Sequence, residues 1–251
     1  MSNMTTQLST KLERISLLER KQYHESGRVI DYLFTEEGAT SPTGEWFYPR
    51  SGYPKHLEFF AAGAKYRERC FMAANRVGKT LGGAYEMALH LTGQYPDWWT
   101  GRRFDTPISA WAAGKTNETT RDTVQAALLG KVGHGDGKKG FTGTGTVRRD
   151  CLGGVTWRSG VADLADKVRV KHVSGGWSEL GFKAYHQGRG SFEGTALHVI
   201  WTDEEVPIDV YGECLIRTAT TNGILLLTFT PLAGLTETVL EFLPGMKPGG
   251  Q

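Results

Sequence analysis

The sequence is poor in three features that mark large classes of protein: cysteine, long apolar runs and net charge. Its three cysteines, Cys70, Cys151 and Cys214, are odd in number and far apart, which argues against a disulfide framework or a zinc site. No run approaches the roughly 18 apolar residues of a membrane span. The first residues, MSNMTTQLST, contain no apolar signal core, so we expect a cytoplasmic protein.

The formal net charge is only +2. That value neither favours nor excludes nucleic acid as a partner, because basic residues can be gathered on one local face. Glycine, in contrast, is abundant at 33 of 251 residues, about twice its usual share. Many of these glycines lie between Gly130 and Gly194, and that segment is therefore predicted to form hairpins and loops rather than long helices.

The pattern along the chain predicts an α/β protein. Short apolar segments typical of buried strands, such as ILLLTF at 224–229, alternate with helix-like segments such as 81–91. We expect a mostly parallel central sheet flanked by helices, with a glycine-rich β-hairpin insertion. Residues 1–52, with a helix over about 5–33, are predicted to be an extension of the main domain at 53–240. The proline- and glycine-rich end, 241–251, is typical of the start of a linker.

The segment AANRVGKT, residues 73–80, matches the last three positions of the phosphate-loop pattern Gly-x-x-x-x-Gly-Lys-Thr. In that pattern backbone N–H groups surround an anion, the lysine contacts phosphates and the hydroxyl contacts Mg²⁺. Ala73 replaces the first glycine, and a chance Gly-Lys-Thr is the alternative interpretation. A predicted strand precedes the segment and a predicted helix follows it, which adds the helix N-terminus to the anion site. The predicted nucleotide-binding residues are Ala74, Asn75, Arg76, Val77, Gly78, Lys79 and Thr80.

The segment ALHVIWTDEEVP carries an apolar strand into Asp203, Glu204 and Glu205. Asp203, together with Thr80, is predicted to hold Mg²⁺. Glu204 is the candidate for polarising the attacking water, and Glu205 is a second candidate for the same role. A solvated acidic turn is the alternative. Because an acidic strand end and a phosphate loop occur in one chain, we expect ATP binding and hydrolysis with Mg²⁺.

Three segments together, FMAANRVGKT, YHQGRGSFEGTALHVIWTDEEVP and ILLLTFTPLAG, resemble the ATPase domain of the large terminase subunit of tailed bacteriophages. The resemblance covers about 53–234. It implies a P-loop NTPase of the additional-strand class, which acts in the host cytoplasm as the motor that drives double-stranded DNA into the procapsid. The implied partners are double-stranded DNA, the portal protein of the procapsid, the small terminase subunit and further copies of the chain in a homo-oligomeric ring.

The resemblance also implies roles for individual residues. Arg76 would act in catalysis at the bound phosphates, and Arg189 would reach a nucleotide, either in its own subunit or in a neighbour. A surface arginine or a DNA-backbone contact is the alternative for Arg189. Thr228 and Thr230 would sense the terminal phosphate and couple its loss to movement, with local backbone hydrogen bonding by these hydroxyls as the alternative.

Further expectations concern adenine binding, DNA contacts and nuclease activity. Tyr53 or His56 is predicted to contact adenine. Large terminase subunits usually carry a C-terminal nuclease domain. We expect neither that domain nor DNA cleavage in this chain, which would be an isolated ATPase portion or a truncated form. Rival functions are another DNA translocase or helicase-like ATPase, a nucleotide-dependent assembly switch and a small-molecule kinase. Candidate contacts to the DNA backbone, each with solvated surface charge as the alternative, are Arg102, Arg103, Lys138, Lys139, Arg148 and Arg149.

Overall fold

The computed structural model describes residues 29–41, 44–135 and 138–243. Most of the predicted N-terminal helix and of the predicted linker at 241–251 therefore lies outside the described residues. From the former segment the structure describes a short helix, α1 (Val29–Tyr32). None of the helices in the described ranges is long and apolar enough to cross a membrane.

The chain packs into two compact units, of which the first combines Met1–Pro54 with Leu129–Asp150. Its described strands form two antiparallel pairs, β1 (Ala39–Thr40) with β2 (Trp46–Phe47), and β5 (Val132–Gly135) with β6 (Lys138–Phe141). Part of the glycine-rich segment thus folds with the N-terminal residues. The predicted domain division at 53 and 240 remains a prediction.

The second unit comprises Lys55–Leu128 and Cys151–Gln251. Its strands are β3 (Glu68–Met72), β4 (Ser109–Gly114), β7 (Leu152–Trp157), β8 (Ala165–Lys171), β9 (Trp177–Ala184), β10 (Val199–Asp203) and β11 (Ile224–Phe229). Its helices are α2 (Pro54–Ala62), α3 (Lys79–Thr92), α4, α5 (Ile208–Ala219) and α6 (Glu237–Glu241), where α4 consists of Asn117–Thr119, a π-helical stretch Thr120–Gln125 and Ala126–Leu129.

These strands form one sheet in the order β3-β11-β10-β4-β9-β8-β7. The first five are parallel to one another, while β8 pairs antiparallel with both β9 and β7. Every residue of β10 and β11 is buried, as expected for parallel strands covered on both faces. The prediction of an α/β protein with a mostly parallel sheet flanked by helices is confirmed.

Helices cover both faces of the central strands. On one face Ile200 of β10 belongs to a cluster with Val210 and Cys214 of α5. The next residue, Trp201, points to the opposite face, because successive side chains of a strand alternate. There it lies so close to Gly83 of α3 that a Cβ added at Gly83 would be 2.5 Å from the indole nitrogen. Because Gly83 has no side chain, α3 can approach the sheet closely. This helix begins at the predicted phosphate loop.

Local signals explain where two helices begin. The helix α2 starts at Pro54, a first-turn position where the missing N–H of proline has no cost; the sequence pattern had not predicted this helix. The helix α4 is capped by Thr116, whose Oγ1 accepts a hydrogen bond from the N–H of Thr119 at 3.2 Å. The cap places the start of α4 directly after β4, next to the carboxyl ends of the parallel strands.

Candidate functional site

A cleft of about 770 Å³ lies at the carboxyl ends of the parallel strands β3, β11, β10 and β4. Ligands of open α/β sheets commonly bind at this edge. The cleft is lined by most of the residues that the sequence predicted to act on a nucleotide, namely Asn75, Arg76, Gly78, Lys79, Thr80, Asp203, Glu204, Thr228 and Thr230.

The predicted phosphate loop connects β3 to the N-terminus of α3. Its last residue, Gly78, has φ 82°, which glycine adopts without steric cost. Arg76 also has a positive φ of 62°. The first N–H groups of α3 have no partner within the helix and carry its positive dipole end. The loop and the helix terminus therefore have the features of an anion-binding site.

Lys79, the first residue of α3, extends its side chain between the loop and β11. Its ammonium group donates to the backbone oxygen of Ala74 at 2.6 Å and to Oγ1 of Thr230 at 2.9 Å. Burial lowers the pKa of Lys79, and the nearby charge of Asp203 opposes this effect. An ammonium group has three protons to donate, so one remains for an anion in the cleft.

Thr80 and Asp203 meet although 123 positions separate them in sequence. The hydroxyl of Thr80 lies 3.0 Å from Oδ1 and 3.1 Å from Oδ2 of the carboxylate. Burial raises the pKa of Asp203 to about 6, while hydrogen bonds from Thr228 and Thr80 act in the opposite direction. The structure thus brings together the two residues that the sequence assigned to Mg²⁺.

The oxygen donors of Thr80 and Asp203 suit Mg²⁺, which prefers hard oxygen ligands and retains several water molecules. Among the described residues, no group of three or more His, Cys, Asp or Glu side chains could hold a metal.

A chain of hydrogen bonds connects the core to Asp203. The indole N–H of Trp201 donates to Oγ1 of Thr228 at 2.8 Å, and this hydroxyl in turn donates to Oδ1 of Asp203 at 2.7 Å. Two residues further on, Oγ1 of Thr230 lies 2.9 Å from the Ala73 oxygen and 2.8 Å from Oδ1 of Asn75. The end of β11 therefore contacts both the acidic strand end and the loop. The coupling role of Thr228 and Thr230 remains a prediction.

Glu204 and Glu205, the two candidate bases, differ in their surroundings. Glu204 has φ 68°, a backbone conformation that costs a residue other than glycine about 1–3 kcal/mol. Its N–H donates to the oxygen of Thr228 at 2.9 Å, and no hydrogen bond from a described residue engages its carboxylate. Glu205, in contrast, accepts a hydrogen bond from Oγ1 of Thr236 at 2.5 Å. The geometry favours Glu204 as the carboxylate that is available to the cleft.

Five predicted site residues do not line this cleft, namely Tyr53, His56, Ala74, Val77 and Arg189. The Arg189 guanidinium contacts Glu213 of α5 at 3.0 Å. His56 places Nε2 3.2 Å from the oxygen of Gly78, and burial lowers the pKa of His56; this residue lines a neighbouring pocket of about 700 Å³ between α2 and β3. Tyr53 lies in the first unit, with its ring 5.2 Å from that of Phe34. Their roles remain predictions.

Some of the basic residues predicted to contact DNA, namely Arg102, Arg103 and Arg148, make contacts within the protein. The guanidinium groups of Arg102 and Arg103 each lie 5.3 Å from an aromatic ring centre, those of Phe104 and Tyr95. In the first unit Arg148 pairs with Asp150 at 3.3 Å. None of these contacts tests DNA binding, so the predicted role of these basic residues remains a prediction.

Sequence reasoning missed several residues of this region, including Lys115 and Tyr185. Lys115, which directly follows β4, lines the cleft. Tyr185 places its hydroxyl 2.9 Å from the backbone oxygen of Asp203 and 3.1 Å from that of Ala113. A signal for Lys115 existed: it is the first residue after a predicted strand, and parallel strands end at a common edge.

Comparison with known proteins agrees with the resemblance seen in the sequence. Residues 70–248 match the family model for the N-terminal part of T4likevirus-type terminase large subunits. The fold is α/β, and the chain belongs to the terminase large subunit family. The terminase large subunit of Salmonella phage P22 is 36% identical to it, over 92% of this chain and 49% of that protein. The chain thus spans about half the length of this curated relative.

Solved structures of the same family were also found. The large terminase of a thermophilic bacteriophage in complex with ADP has a TM-score of 0.44 and 12% identity, over 70% of this chain and 38% of that chain. A mutant of the large terminase ATPase domain of Thermus phage P74-26 has a TM-score of 0.40 and 14% identity, over 69% of this chain and 63% of that chain.

Proposed function

We propose that this chain is the ATP-hydrolysing motor domain of a viral DNA-packaging terminase, which translocates double-stranded DNA into the procapsid. The observation that carries the proposal is the convergence of Lys79, Thr80 and Asp203 in one cleft, across 123 positions of sequence. An ammonium group, a hydroxyl and a carboxylate at a helix N-terminus form the minimal set for holding a nucleoside triphosphate with Mg²⁺. Membership of the large terminase family supplies the biological setting.

The proposal includes the finer fold class, a P-loop NTPase of the additional-strand type. The strand β11 lies between β3, which leads into the loop, and β10, which carries Asp203. This arrangement puts the hydroxyls of Thr228, in β11, and of Thr230, just after it, between the lysine and the carboxylate. From that position β11 contacts both the phosphate loop and the acidic end of β10. It can therefore respond to a change in either of them.

In the proposed reaction the loop amides and Lys79 bind the phosphates of ATP. Mg²⁺, when bound by Thr80 and Asp203, neutralises charge on the phosphate oxygens. Glu204 accepts a proton from the attacking water, because its carboxylate is exposed in the cleft and engaged by no described hydrogen-bond donor. Arg76 lies at the cleft and adds positive charge beside the phosphates.

Coupling to movement is assigned to the end of β11. Thr230 is a hydrogen-bond partner of Lys79, and Thr228 is a partner of Asp203. When either partner changes its contacts with the nucleotide, the hydrogen bonds of β11 must rearrange. We propose that this rearrangement reaches a DNA-contacting surface in a homo-oligomeric ring. The ring would assemble with the portal protein and the small terminase subunit. Within the ring, Arg189 would reach the nucleotide of its own subunit or of a neighbouring one.

The test is the rate of phosphate release from Mg-ATP by the 251-residue chain. Lys79→Ala is expected to abolish nucleotide binding. Glu204→Gln should retain binding and lower the rate by about 10²–10⁴-fold, the usual contribution of a general base. Glu205→Gln is the matched control and should keep most of the activity. Turnover by Glu204→Gln at the unsubstituted rate would contradict the assignment of the base.

A second measurement addresses the motor itself. ATP turnover is compared with and without double-stranded DNA, and then with procapsids and the small terminase subunit. Stimulation by these partners is expected from a packaging motor. A rate that stays unchanged with all of them present would reduce the proposal to ATP hydrolysis alone.

A further inference from the structure

Lys115 is a cation of the cleft to which the proposed reaction assigns no role. The strand β4 ends at Gly114 and β10 at Asp203, and the two strands are paired up to Ala113 and Thr202. Lys115 and Glu204 are therefore the first residues beyond two neighbouring strand ends. Because neighbouring strands lie about 4.8 Å apart, both side chains enter the cleft from adjacent positions.

The backbone around Lys115 is held in place from several sides. The Tyr185 hydroxyl contacts the oxygens of both Ala113 and Asp203, which fixes the spacing between the two strand ends. The oxygen of Lys115 accepts a hydrogen bond from the N–H of His186 at 3.1 Å, and the helix α4 begins directly after it. The position of this residue is a property of the packed fold rather than of a free loop.

The charged groups that line the cleft indicate a role for the Lys115 side chain. Its lining includes three cations, Arg76, Lys79 and Lys115, and three carboxylates, Asp203, Glu204 and Glu205. Without Lys115 the carboxylates outnumber the cations, and a triphosphate would bring further negative charge. Lys115 is exposed, and none of the described residues forms a hydrogen bond or ion pair with its ammonium group.

We infer that Lys115 contacts the terminal phosphate of a bound nucleoside triphosphate and thereby makes the cleft prefer a triphosphate over a diphosphate. This inference rests on the proposed function. The phosphate loop follows β3, whereas Lys115 follows β4, three strands away in the sheet. Glu204, the proposed base for attack on the terminal phosphate, follows the neighbouring strand β10, so Lys115 is placed to contact that phosphate, which a diphosphate lacks.

The test measures the dissociation constants of a non-hydrolysable Mg-ATP analogue and of Mg-ADP by calorimetry, using the 251-residue chain. Lys115→Ala is expected to weaken binding of the triphosphate analogue by roughly 10- to 100-fold, as for loss of a hydrogen bond between charged groups, and to leave ADP binding unchanged. Lys115→Arg should retain most of the preference. Lys171→Ala, at an exposed lysine of β8 outside the cleft, is the matched control and should bind both nucleotides as the unsubstituted chain does.

The possible results separate this inference from the proposed function. Equal weakening of both nucleotides by Lys115→Ala, or no change in either, would overturn the inference while leaving the proposed function intact. If the unsubstituted chain bound neither nucleotide, both proposals would fall. Thermal unfolding of each variant is recorded as well, and an unchanged midpoint is expected because the Lys115 side chain is exposed.

Discussion

The contact between Gly83 and Trp201 connects the packing of α3 with the candidate site, and replacing Gly83 by alanine tests that connection. The new Cβ would lie 2.5 Å from Nε1 and 2.6 Å from Cε2 of the Trp201 ring. Since this ring is fully buried and its N–H donates to Thr228, it cannot move aside freely. Any displacement would disturb the hydrogen bond from Thr228 to Asp203.

Two opposing terms set the magnitude. Overpacking a buried position costs about 1–3 kcal/mol, and the upper end applies here because the contact is with a ring that is held on all sides. Alanine is favoured over glycine in a helix by up to about 1 kcal/mol. We therefore expect Gly83→Ala to lower the free energy of unfolding by about 2 kcal/mol, the difference between these terms.

The matched control is Gly212→Ala in the interior of α5, where an added Cβ meets no atom within 4 Å. This variant should be more stable than the unsubstituted chain by up to about 1 kcal/mol. Urea unfolding followed by circular dichroism gives both values, and Mg-ATP binding of folded Gly83→Ala shows whether the site is affected. A Gly83→Ala protein as stable as Gly212→Ala would refute the reasoning.

The remaining predictions concern a buried ion pair, a hydroxyl and two thiols. Arg69→Met removes the arginine partner, at 2.6 Å, of the fully buried Glu86 carboxylate, which keeps His90 at 3.1 Å, so urea unfolding should show a loss of about 3–5 kcal/mol, with much of it recovered when Glu86→Leu is added. Thr228→Val removes the hydrogen bond to the acidic strand end and should weaken Mg-ATP binding, whereas Thr228→Ser should restore it; equal calorimetric affinities for the two variants would contradict that role. Burial raises the pKa of Cys70 and Cys214 to about 12, so both stay protonated at pH 8; a thiol reagent should modify the buried Cys214 only after unfolding and the half-buried Cys70 slowly in the folded chain.

Local patterns in the sequence were sufficient for the framework of the site. The apolar run at 224–229 predicted a buried strand because parallel strands covered on both faces need apolar side chains throughout. Likewise, Gly78, Lys79 and Thr80 identified the turn into α3, and the acids after β10 identified the second strand end. Each of these signals consists of a few consecutive residues, so it can be recognised without knowledge of the tertiary structure.

Other features depended on contacts between distant segments. The pairing of β10 with β4 places Lys115 beside Glu204, and the packing of Tyr185 against both strand ends places a phenol behind the cleft. Similarly, Leu129–Asp150 folds with the N-terminal residues rather than with the segments that flank it in sequence. The sequence by itself determined the segments that form the central parallel strands, and it supplied the prediction of which residues bind a phosphate. The order of strands in the sheet decided which of those residues meet, because that order depends on the packing of side chains far apart in the chain.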